Sequence, residues 1–136
     1  MSTHQYQKER IMLAGILIAT VASFVASAVL YGVPAISRVI THSSHPRPGV
    51  PRILQMASVA LRSLIASALV AGLLTAGDWH GPAAGALLGI SLSVLPAILL
   101  FGAIIHENTP IPVATIHLTD WILKLTIIGA VIGLFL

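Results

Sequence analysis

Four apolar runs, at residues 11–31, 53–77, 83–105 and 113–136, take up most of this 136-residue chain, separated by one long connector and two short polar turns. A bilayer's hydrocarbon core is about 30 Å thick and needs roughly 20 helical residues to cross, so each run is long enough to span it. The expected fold class is all-α: an integral membrane four-helix bundle, one domain over residues 1–136, with both termini on one side. Composition points the same way. Hydrophobic residues make up 57% of the chain and charged residues 8%, and the mean hydropathy of +0.98 lies outside the range of soluble domains.

The fourth run raises the question of function, because it carries His117, Asp120 and Lys124. Ionisable side chains within a span are costly, and by default they mark a functional site or a pairing with another helix. Asp and Lys near a helix centre cost about 6 kcal/mol together on the insertion scale, and the run's Ile, Leu, Val and Phe residues return roughly 4–8 kcal/mol. Alone, that helix is marginal. Arg62 stands inside the second run, ten residues beyond Arg52, and Asp120 stands eight beyond Pro112. At about 1.5 Å per residue the two depths differ by roughly 3 Å. Depth therefore predicts a buried Arg62–Asp120 pair, with Lys124 one turn further on completing a triad. In the competing reading Arg62 snorkels to the connector side and Asp120 keeps Lys124 alone. Arg62, His117, Asp120 and Lys124 form the candidate intramembrane polar cluster.

Taken in order, residues 1–10 read as a solvated polar tail. Lys8 and Arg10 before an apolar run, with Ala26-Ser27-Ala28 inside it, also fit a secretory signal, but the run exceeds the usual apolar length of about 7–15 residues. The connector at residues 32–52 holds Pro34, Pro46, Pro48 and Pro51 among Arg38, His42, His45, Arg47 and Arg52. Its proline density favours extended backbone after His45. Residues 35–41 can form a short interfacial helix with Val39 and Ile40 towards lipid and Arg38 at the headgroups. Residues 78–82 read as a tight turn with Trp79 at interfacial depth and Pro82 opening the third span. That span is expected to kink at Pro96, freeing a carbonyl one turn back for Ser91 or Ser93 to satisfy. A polar turn over residues 106–112 precedes the last span, which Pro112 can start.

Small residues recur at every fourth position in all four runs: Gly15, Ala19, Ser23 and Ser27; Ser63, Ser67 and Ala71; Gly81, Gly85 and Gly89; Gly129 and Gly133. Such stripes let helix backbones approach in lipid, within one chain or between copies. Gly81, Gly85 and Gly89 do not form a nucleotide loop, since no strand precedes them and no lysine follows.

Several of these segments together resemble an uncharacterised family of small bacterial four-span membrane proteins, a domain of unknown function. The resemblance rests on Tyr31-Gly32-Val33-Pro34 before a basic connector and on the proline-containing third span. It also rests on His106-Glu107-Asn108-Thr109-Pro110, Ile116-His117-Leu118-Thr119-Asp120-Trp121, and the closing Gly129 and Gly133. It implies the four-span architecture and a bacterial inner membrane, and it carries over no catalytic residue. The chain departs from the pattern in ending Phe135-Leu136, where many relatives end in tryptophan, and in its proline-rich connector.

Chemistry is sparse. Haem would need two buried axial ligands, and only His117 lies clearly within a span. His42, His45, His106 and Glu107 share one membrane side without a recognisable zinc-ligand spacing, so solvated loop histidines are the simpler reading. No nucleophile turn is present for a hydrolase, and no basic face for nucleic acid. The expectation is a protein that is not an enzyme, with no metal, cofactor or nucleic-acid partner. Two functions remain: a structural bundle that self-associates in the lipid bilayer or serves as a subunit of a membrane complex, and a small carrier or proton-linked permease working through the four charged residues. A ligand-sized cavity facing those charges would favour the second.

Short-loop charge sets the orientation, with Arg38, Arg47 and Arg52 on the connector side against Lys8 and Arg10 on the tail side. The connector is expected in the cytoplasm. An alkaline phosphatase fused after Leu136 is then active while a fluorescent protein at the same place stays dark; the reverse result would overturn this orientation.

Overall fold

The computed structural model describes residues 3–136. It is all-helical over these residues: α1 (Thr3–Gly32), α2 (Pro34–Ser43), α3 (Arg52–Ala76), α4 (Pro82–Leu92), α5 (Val94–His106) and α6 (Ile111–Gly133). α1, α3, α6 and the joined α4–α5 segment are each long and apolar enough to cross a membrane, so the expected four-span architecture is present. α1 starts earlier than the polar tail suggested. Its first turns are helical and exposed, with the Arg10 guanidinium 5.1 Å from the centre of the Tyr6 ring.

The breaks follow from local chemistry. α3 ends at Gly77, and Asp78 takes φ 55°, so the Asp78 and Trp79 amides donate back to the Thr75 and Leu74 carbonyls. That pair of bonds closes a helix end with a residue in the left-handed region. Gly81, at φ 88°, then turns the chain into Pro82, whose missing N–H costs nothing at a helix start. The third span does kink, but the bend falls at Ser93, one turn ahead of Pro96. A proline acts on the carbonyl four residues before it, here Leu92, so the distortion lies upstream of the ring. Neither serine serves that carbonyl: Ser93 Oγ donates to the Gly89 carbonyl at 2.9 Å and Ser91 Oγ to that of Leu87 at 2.9 Å.

The short helix expected in the connector is present as α2. It lies against α1 and α6, and Val39 and Ile40 on it are half-buried. The proline-rich residues after it stay non-helical, as expected.

α6 is the hub, in contact with every other helix, whereas α1 and α4 do not touch. Two kinds of seam meet on it. On one side α4 lies backbone to backbone: a Cβ placed on Gly85 would fall on the Gly129 carbonyl, and one on Gly89 on the Leu125 carbonyl. On the other side α1 and α3 close around Ala19, Val70, Ala71, Leu74, Leu125, Ile128 and Ile132, an apolar plug towards the tail side. Ser23, Ser27, Ser63 and Ser67 are also buried in these seams. The small-residue stripes are therefore contacts within one chain.

Since a carbonyl cannot rotate away as a side chain can, Gly129→Val is expected to cost more than about 3 kcal/mol, the upper end for overpacking. Gly72→Ala is the control: nothing lies within 4 Å of its Cβ position, so higher helix propensity should leave stability level or raise it by about 0.5–1 kcal/mol. Unfolding in detergent, followed by circular dichroism, measures both.

Candidate functional site

Three helices and the connector enclose a cleft of about 720 Å³ on the connector side. α1 and α6 each lend one stripe at the spacing of a single helical face, and α3 lends a broader surface that also takes in Leu54 and Met56. α1 supplies Phe24, Ser27, Ala28 and Tyr31; α3 supplies Gln55, Ser58, Val59 and Arg62; α6 supplies His117, Asp120, Trp121 and Lys124. Residues three and four apart stack on one face, so each stripe runs about two turns into the bundle. Ile40, Thr41, His45 and Arg47 from α2 and the proline-rich segment complete the wall.

All four expected cluster residues line this cleft, but they are not joined as depth suggested. Asp120, 8% exposed, and Lys124, 4% exposed, form an ion pair at 3.2 Å, four residues apart on α6. The other carboxylate oxygen accepts a hydrogen bond from Ser27 Oγ of α1. Lys124 Nζ also lies 5.4 Å from the centre of the Trp121 ring, a cation–π contact. One turn nearer the connector, the Tyr31 hydroxyl and His117 Nδ1 share a hydrogen bond of 2.8 Å. α1 and α6 are thus tied by two polar rungs, Ser27 to Asp120 and Tyr31 to His117.

The expected Arg62–Asp120 pair is absent among the described residues, and Arg62 remains exposed in the cleft. Depth was a sound guide to level and a poor one to direction. The buried seam of α3 runs through Ser63, Ser67, Val70, Ala71 and Leu74, and Arg62 stands about 100° around the helix from Ser63. Ser27 and Tyr31 went unassigned in the sequence because serine in a small-residue stripe reads as packing. Their signal was a match of spacing: Ser27 and Tyr31 are four apart, His117 and Asp120 three apart, on antiparallel helices that can pair at both levels.

Two buried side-chain polar atoms have no hydrogen-bond partner among the described residues, Ser63 Oγ and Thr126 Oγ1. No three His, Cys, Asp or Glu side chains come together as metal ligands among the described residues; His42, His45, His106 and Glu107 are all exposed.

The family described as Protein of unknown function (DUF1761) matches residues 14–133, which take in the cleft helices, the connector and the kinked third span, and the chain belongs to it. No curated protein and no solved structure matches the chain.

Removing one member of a buried ion pair leaves the other uncompensated, which costs about 3–5 kcal/mol, whereas replacing both by apolar groups is often neutral. Asp120→Ala is therefore expected to destabilise by that amount, and Asp120→Leu combined with Lys124→Leu to recover most of it. A double variant whose loss equals the sum of the two single Leu losses in detergent unfolding would contradict the pairing.

Proposed function

We propose that this DUF1761 chain is a small carrier, not an enzyme, that takes a solute into the connector-side cleft, with the Asp120–Lys124 pair as its floor. The single observation that supports this reading is the meeting of Arg62, His117, Asp120 and Lys124 on one cavity of ligand size. The cleft's volume falls inside the range of about 300–1,000 Å³ typical of small-molecule sites. Its asymmetry supports the same reading: open at the connector, it gives way on the tail side to the plug of Leu74, Ile128 and Ile132. Carriers bind at such a one-sided stage before access changes sides.

The structural-bundle reading drew on the small-residue stripes, as contacts within one chain or between copies, and on the absence of a catalytic motif. Gly85 and Gly89 pack on α6, and Ser23, Ser63 and Ser67 are buried within the chain, so these stripes lend less support to self-association. We place the protein in the bacterial inner membrane with the cleft facing the cytoplasm, a reading supported by Arg38, Arg47 and Arg52 on the connector side.

The chain has no cysteine, so single-cysteine variants report without background. Ser58→Cys and Val59→Cys should react readily with a hydrophilic maleimide added from the connector side, while Ser67→Cys, at a position 0% exposed, should not. Carriage adds a second expectation: Ala71→Cys, within the plug, reacts slowly from the tail side. Cleft cysteines as inert as Ser67→Cys would remove the binding site; an Ala71→Cys that never reacts would leave binding without carriage.

A further inference from the structure

Counter-ions point to the ligand's charge. The chain has four acidic residues, Glu9, Asp78, Glu107 and Asp120. Glu9 and Asp78 lie towards the tail side, the first on the exposed start of α1 and the second in the turn after α3. Glu107 is exposed at the end of α5 and does not line the cleft. Asp120 does, but Lys124 and Ser27 occupy its two oxygens. The guanidinium groups of Arg47 and Arg62 thus line the cleft with no carboxylate paired to either among the described residues.

Arg62 is the more telling of the two. Ten residues past Arg52, it stands roughly 15 Å along a membrane-spanning helix, where an unpaired cation is costly. Arginine's planar fork suits the paired oxygens of a phosphate better than it suits a single water. Beside polar groups such as Ser27, Tyr31, Gln55, Ser58 and His117, the cleft presents apolar surface from Phe24, Leu54, Met56, Val59 and Trp121. A small hydrophilic ion would leave those surfaces wet, whereas a phosphate joined to hydrocarbon would use both.

We propose that the cleft is a phosphate site, with Arg62 and Arg47 as its cationic contacts, and that its occupant is the headgroup of an anionic phospholipid whose chain runs along the apolar wall. This rests on the cleft being an accessible binding cavity and names the class of molecule it takes. The Asp120–Lys124 pair is already neutral as a unit, so it closes the floor without competing for the ligand's charge.

The test uses the full chain in mild detergent, offered phosphatidylglycerol, phosphatidylcholine or inorganic phosphate, with bound mass read by native mass spectrometry. The expected result is one phosphatidylglycerol per chain, phosphatidylcholine held several-fold more weakly, and retention cut at least tenfold in Arg62→Gln and more in Arg62→Gln with Arg47→Gln. Arg62 is exposed and in no ion pair among the described residues, so Arg62→Gln should keep the wild-type melting temperature, which separates lost binding from lost folding. Arg62→Lys, retaining charge without the fork, should fall between. Inorganic phosphate bound with the same arginine dependence, and no lipid, would uphold the phosphate site and make its source the aqueous side. Lipid retained equally by the wild type and the double variant would overturn the proposal. If Ser58→Cys and Val59→Cys label while neither lipid nor phosphate depends on the arginines, this inference fails and the cleft reading stands; if they do not label, the cleft itself is wrong.

Discussion

The placement of Asp120 and Lys124 in a membrane-spanning helix constrains everything around it. α6 is the least apolar of the four spans, and it is also the most enclosed. The two facts are linked: a helix with two charges near its middle cannot face lipid on that side, so the rest of the chain must wrap it. α1 brings Ser27 to the carboxylate, α3 closes the adjacent seam, and α4 covers the opposite face. The third span, which carries no charge, can afford its kink and its largely exposed α5, because lipid is as good a neighbour for leucine as another helix is.

The two seams on α6 do different work. Against α4 the contact is made by glycines, whose lack of side chains lets carbonyl and Cα surfaces meet, so dispersion and close approach supply the attachment. Against α1 it is made by hydroxyls and a carboxylate. Polar rungs fix register in a way that sliding glycine faces do not, since a shift of one residue would separate Ser27 from Asp120 and Tyr31 from His117 together. The α1–α6 seam therefore sets the geometry of the cleft, and the α4–α6 seam holds the back of α6 while leaving the cleft side free.

Much of this was legible in the residues. Length and hydropathy gave the four spans, Pro82 and Pro112 marked two helix starts, and the family followed from short motifs in the second half of the chain. Level in the membrane was also readable, since Arg62, Asp120 and Lys124 all reach the same cleft. Azimuth was not. Which way Arg62 points depends on which face of α3 is buried, and a helix with apolar residues on every side gives little periodic signal to decide it. The placement of α2 was hidden for a related reason: Pro34 describes local backbone preference, while its position is set by contacts with α1 and α6.

Stability alone does not account for the charged floor. A buried pair such as Asp120–Lys124 roughly breaks even against apolar residues of similar size, because desolvation cancels most of the attraction. A bundle that only had to hold together would do as well with leucine at both positions, and would not need Ser27 committed to the carboxylate. The pair lies at the boundary between the cleft and the apolar plug. There it also fixes the inner end of the cleft, since Ser27 ties its carboxylate to α1.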